Sequence, residues 1–119
     1  NILYKKKNKL LNISKIDSKI LNKLNFYEVD IRKFPSVKLV RKCLNSGFSA
    51  PIIVNASNEV LVSLFLKEKI DFLDIVKMIN RIFKDKDFKK YAKRKPKSVK
   101  DVNLIDKWAR LKTINMCVI

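Results

Sequence analysis

The sequence predicts a mainly α fold: a four-helix bundle-like domain preceded by an extended segment or short strand. Three observations carry this. From Phe34 onward, apolar residues recur at steps of three and four. Residues suited to opening helices, Pro35, Asp71 and Ser98, stand just ahead of those runs. Hydrophobic residues make up 47% of the chain, enough for a real core.

Residues 1–23 are polar and basic, with Ile13, Ile16, Ile20 and Leu21 as apolar positions, and Asn12 to Ser18 reads as loop or a short turn of helix. Leu24 to Val29 alternates loosely and carries Phe26 and Tyr27, the pattern of a short strand. Alone it has no partner, which implies a sheet in another part of the protein. Pro35 then opens the first helix, where its missing N–H is not needed. Val37, Val40, Cys43 and Leu44 follow at helical spacing, and Gly47 stands where a left-handed cap would end it. The second helix is expected from Pro51 to Lys67. Asn55, Glu59, Val62 and Leu66 form one stripe of it, while Val60, Leu61, Leu64 and Phe65 cover the rest. A helix apolar nearly all round is expected to be buried.

Asp71 and Asp74 begin a third helix, the first as cap and the second as a charge favoured by the helix dipole. Its apolar face is Ile75, Met78, Ile79, Ile82 and Phe83. Lys84 to Lys97 is dense in charge and reads as a solvated linker, with Asp85 and Asp87 as solvated charges. Ser98 and Asp101 resemble a capping box, with Asp in place of Glu. Val102, Ile105, Trp108, Ala109 and Lys112 then share one side of a fourth helix, with Trp108 as a packing residue. The apolar tail, residues 114–119, has no evident role.

The chain begins at Asn1 and reads as a piece of something longer. No apolar stretch follows the N-terminal lysines as a signal peptide requires. No run approaches the ~20 apolar residues of a membrane span. Cys43 and Cys117 lack metal-like spacing and read as reduced thiols of a cytoplasmic protein. The net charge of +17 invites a nucleic-acid reading. However, 23 of the 28 basic residues are Lys rather than the planar Arg that reads bases and phosphates. Lys, Ile and Asn together make 48 of the 119 residues, the signature of an AT-rich genome. Specific nucleic-acid binding is therefore not expected. A basic helical nucleic-acid-binding module remains the alternative, with its one basic cluster in Lys84–Lys97, around Phe88 and Tyr91; a small protein–protein interaction domain is a third reading.

Catalytic, cofactor-binding and metal-binding candidates are all wanting: there is no His, and one Gly cannot build a phosphate loop. The feature that stands out is Glu59. It is the only charge between Cys43 and Leu66, in a chain that is 33% charged. Unpaired in a core, it would cost several kcal/mol or be forced to protonate. Asn55, Asn58 and Glu59 share a face that would suit a hard metal or a substrate. The favoured reading is a buried structural network of Lys38, Asn55, Asn58 and Glu59, with Lys38 as counter-charge.

These residues also carry a resemblance. Leu24-Asn25-Phe26, Asp30, Phe34-Pro35 and Lys38-Leu39 are followed by Asn55-Ala56-Ser57-Asn58-Glu59, Phe65-Leu66, Ile70-Asp71-Phe72 and Asp74-Ile75. Ser98, Asp101-Val102, Ile105-Asp106 and Ala109-Arg110 complete the run. Over Leu24 to Lys112 the chain resembles the C-terminal helical domain of the 1-deoxy-D-xylulose 5-phosphate reductoisomerase family. The resemblance implies that 34–119 is that domain and that 1–33 is the end of the catalytic domain with its connecting segment. It implies a parent enzyme of isoprenoid biosynthesis, an oxidoreductase and isomerase using NADPH and a divalent metal, Mg or Mn. The partners it implies are the nucleotide-binding and catalytic domains of the same polypeptide, in a homodimeric parent. The family's active-site residues precede this region, so the resemblance implies a fragment inactive alone.

Overall fold

The computed structural model describes residues 22–117. The turn expected near Asn12–Ser18 and the last two residues of the apolar tail lie outside the described residues. Asn22 to Phe34 consists of turns and irregular backbone, and the strand expected at Leu24–Val29 is absent. A strand needs a neighbour for its N–H and C=O groups, and none stands beside it among the described residues. The Phe34 N–H donates to the Asp30 carbonyl at 2.9 Å and turns the chain into the helical part.

Five helices follow: α1 (Pro35–Leu44), α2 (Ala50–Leu66), α3 (Phe72–Phe83), α4 (Phe88–Ala92) and α5 (Val99–Cys117). The mainly α reading holds, and three helix starts fall where the residues placed them. Pro35 occupies the first turn of α1. Asp71 caps α3, and its N–H donates to the Asp74 carboxylate at 3.0 Å. Ahead of α5, the Ser98 hydroxyl accepts the Asp101 N–H, while the Asp101 carboxylate accepts the Lys97 N–H at 2.9 Å. Residues 114–117 of the apolar tail continue α5.

The extra helix is α4, inside the stretch expected to be a solvated linker. Five residues cannot hold a helix by themselves. Packing holds this one: Phe88 and Ala92, one turn apart, are both buried, and Tyr91 stacks on Trp108 with ring centroids 4.3 Å apart. Its lysines stay on the outer face. The turn between α1 and α2 locks onto α4. Gly47 adopts φ +137°, and a Cβ there would collide with the Ala92 carbonyl. The Ser49 N–H donates to that same carbonyl at 2.9 Å, and the Ser49 hydroxyl donates to the Arg94 carbonyl. Gly47 thus serves an interhelical contact. The cap of α1 is Asn45, in right-handed conformation.

The core forms two clusters, one around Ile53, Ala56, Ile82, Phe88 and Ile105, the other around Leu39, Leu61, Ile75 and Ile79. Val54 and Phe83 pack against both. On α1 the buried line runs through Leu39 and Cys43, leaving Val40 and Leu44 exposed, contrary to the expected stripe. On α5 the buried residues are Ile105, Ala109 and Thr113, the last donating its hydroxyl to the Ala109 carbonyl at 2.7 Å. Helix α2 is not buried all round. Its partners α5, α3 and α1 cover Ile53, Ala56, Ser57 and Leu61, while Asn55, Asn58, Glu59 and Leu66 face outward. Both cysteines are free thiols. Among the described residues no helix is long and apolar enough to cross a membrane.

Candidate functional site

Glu59 sits on the outward face of α2 with its side chain 53% exposed, so it is not the buried carboxylate its apolar neighbours suggested. Its carboxylate accepts the Asn55 amide at 3.2 Å, one helical turn back, and the Arg110 guanidinium from α5. Arg110 donates through Nε to Asp106 at 2.8 Å, so one guanidinium clamps two carboxylates and ties α2 to α5. Asp106, then Glu59, hold the Arg110 guanidinium firmly protonated, its pKa raised above the ordinary value. Lys38 is not part of this network. It lies exposed on α1, and the counter-charge of Glu59 is Arg110. Asn58 is exposed, and its side chain makes no hydrogen bond among the described residues. Sequence reasoning misses Arg110 because it is 51 residues from Glu59. The one signal is Asp106 and Arg110 themselves, four apart on one helix face.

A second ion pair is absent from the sequence reading. Asp85, expected to be a solvated charge, has a side chain only 10% exposed and meets the Lys112 ammonium of α5 at 2.8 Å. Its other oxygen accepts the Asp87 N–H at 3.0 Å. Burial alone would raise the Asp85 pKa, but the bonds from Lys112 and the Asp87 N–H outweigh it and hold the carboxyl below its usual range. Asp85 in turn raises the pKa of Lys112. This pair pins the α3–α4 connection to α5. Phe88 and Tyr91 turn inward beside it, so the rings amid the lysine cluster are engaged in packing.

The polar network borders an open surface. Asn58, Glu59, Val62 and Leu66 line a shallow hollow along α2, and Asn55, Asn58 and Val62 also line a groove between α1, α2 and α3. Among the described residues, no three His, Cys, Asp or Glu side chains stand close enough to hold a metal ion. This arrangement can bind helices together and present a face to another surface. It offers no paired acid and base around a cleft.

Comparison with known proteins gives these features a context. Residues 2–112 match the family described as DXP reductoisomerase C-terminal domain. The chain is 31% identical over 118 residues to 1-deoxy-D-xylulose 5-phosphate reductoisomerase of Pelagibacter ubique, covering 99% of this chain and 30% of that protein. It is 38% identical over 106 residues to the same enzyme of Blochmanniella pennsylvanica, covering 89% of this chain and 25% of that one. The solved structure of 1-deoxy-D-xylulose 5-phosphate reductoisomerase from Zymomonas mobilis in complex with NADPH superposes with a TM-score of 0.72 at 31% identity, over 89% of this chain and 27% of that chain. The chain thus spans less than a third of the length of these relatives. With residues 2–112 matched and the helical fold shared, this chain belongs to the DXP reductoisomerase C-terminal domain family.

Proposed function

We propose that this chain is the C-terminal structural domain of an NADPH-dependent 1-deoxy-D-xylulose 5-phosphate reductoisomerase of the non-mevalonate isoprenoid precursor route, and that catalysis resides in the domains preceding it. One observation carries the reading: the family match runs over residues 2–112, yet the chain accounts for only 25–30% of the relatives' length. In this reading residues 34–119 are the helical domain, and 1–33 are the end of the catalytic domain with its connection. The parent is a cytoplasmic homodimer that uses NADPH and a divalent ion, Mg or Mn. The NADPH-bound Zymomonas enzyme supports the choice of nucleotide.

The described residues do not fit either cofactor. Gly47, the chain's one glycine, is committed to the contact with α4, so no glycine-rich loop exists to receive a pyrophosphate. The carboxylates of Glu59 and Asp106 are taken up by Arg110. The role left to this domain is support: two ion pairs and two apolar clusters hold a helical body against which other domains can pack.

The test is NADPH oxidation by the isolated chain, given 1-deoxy-D-xylulose 5-phosphate and Mg or Mn. The expected rate is that of a no-protein control. Turnover clearly above it would contradict the reading.

A further inference from the structure

Between α1, α2 and α3 lies an open groove of about 500 Å³. None of its fourteen lining residues is charged, in a chain that is one-third charged and carries +17. Its floor reaches the buried core, and its rim carries Val40, Leu44 and Phe72, which stand 54%, 69% and 67% exposed. Leaving side chains of this size in water forgoes the free energy that their burial would return. Helix α2 adds two amides: Asn55 is engaged by Glu59, whereas Asn58 has no partner among the described residues.

We propose that this groove is the docking face for the domains that precede the chain in the longer polypeptide, which seat apolar side chains in it and a backbone peptide group on the Asn58 amide. The proposal rests on the reading that the chain is the C-terminal part of such a polypeptide. It goes further in assigning the face through which the parts meet.

Three arguments select this occupant. An uncharged lining offers nothing to a phosphate backbone or an acidic peptide, both of which are bound through Lys and Arg. The groove admits only a few side chains, whereas a stable contact between free proteins needs about 800 Å² from each partner. A tethered partner escapes that requirement, because a short connection holds it at an effective concentration on the order of millimolar. The connection is in view: Asn22 to Phe34 leads directly into α1, one wall of the groove, and itself exposes Phe26 and Tyr27. Exposed apolar side chains thus recur along the segment of chain that leads from the groove toward its N-terminal side.

The test compares the 119-residue chain with the full polypeptide expressed from the same reading frame. Val40→Cys and Phe72→Cys are labelled with a maleimide and read peptide by peptide, which separates them from Cys43 and Cys117. Leu111→Cys, exposed on α5 and away from the groove, is the control. In the full polypeptide, labelling at 40 and 72 is expected to slow by at least about tenfold, as at the dry centre of an interface, with position 111 unchanged. Equal rates at 40 and 72 in both proteins would overturn the proposal. Should either variant fail to fold, amide exchange of unsubstituted protein across residues 40–44 and 72–76 decides by the same criterion. A reading frame that encodes no preceding domains would overturn both the enzyme reading and the docking face. A full polypeptide with an unprotected groove would overturn the docking face alone.

Discussion

Two ion pairs fasten α5 to the rest of the molecule, and their environments are opposite. Glu59 comes from the most apolar stretch of the chain, yet it meets Arg110 at the surface, with side chains 53% and 37% exposed. Asp85 comes from the most charged stretch, yet its side chain is 10% exposed where it meets Lys112. Composition of the neighbouring sequence is thus a poor guide to the burial of a single charge. What decides is which side of the helix or turn faces the core. Glu59 shares its outward stripe with Asn55 and Asn58, while Asp85 lies in the turn between Phe83 and Phe88, whose rings pack together at 4.9 Å. The energetic consequence follows: screening leaves the first pair little to contribute, and burial makes the second costly to break.

The sharpest way to break the comparison is Lys112→Ala. It strands the Asp85 carboxylate in a nearly buried site with only the Asp87 N–H as partner. Breaking a buried pair is strongly destabilising, and the partial exposure of Lys112 moderates the loss without removing it. The thermal midpoint is expected to fall by at least about 5 °C. A change of no more than a degree or two would show that Asp85 is as solvated as its sequence neighbours.

Acid comes next. Burial acts to raise the Asp85 pKa, but Lys112 and the Asp87 N–H hold the carboxyl below its ordinary value. Asp74 is lowered by the Asp71 N–H and Lys77, and Asp101 by the Lys97 and Ser98 region of the α5 cap. Each group therefore binds protons more readily when unfolded, so stability rises with pH through that range. The contribution is complete above the unfolded value of about 4 and is lost as pH falls through the lower folded values. The urea midpoint is expected to hold steady between pH 7 and about 5 and to drop below about 4. In Lys112→Ala the acid slope should flatten, because the main cause lowering the Asp85 pKa has been removed. An acid slope identical in both proteins would contradict the assignment.

The smallest effect belongs to Glu59→Ala. With both partners more than a third exposed, the pair contributes about 0–1 kcal/mol, and Arg110 keeps Asp106. The thermal midpoint is expected to move by no more than a few degrees. A loss comparable to that of Lys112→Ala would erase the distinction between the two pairs.

Much of the fold was legible because it is written locally. Pro35, Asp71 and Ser98 announce helix starts through their own backbone chemistry, and Ile75, Ile79 and Ile82 announce a buried face by spacing alone. What was not legible depends on partners distant in sequence. Nothing near Phe88 and Ala92 says that the core lies beneath them, so α4 was hidden by the lysines on its other face. The outward turn of Asn55, Asn58 and Glu59 is set by where α1, α3 and α5 stop covering α2. The choice of Arg110 over Lys38 rests on a helix crossing that no spacing encodes. The family resemblance was legible for a different reason: it resides in an ordered series of short blocks, from Phe34-Pro35 to Ala109-Arg110, and needs no knowledge of contacts.

The central claim is that this domain supports an enzyme without entering its chemistry, and the two pairs together test it. In the full polypeptide, kcat and KM for NADPH and for 1-deoxy-D-xylulose 5-phosphate would be measured for Glu59→Ala and Lys112→Ala, at a temperature where each is fully folded. The account predicts kinetic constants within about twofold of the unsubstituted enzyme for both, with only Lys112→Ala lowering the thermal midpoint substantially. A fall in kcat of tenfold or more in Glu59→Ala, at an unchanged thermal midpoint, would place the Asn55–Glu59–Arg110 network in the catalytic machinery and contradict it.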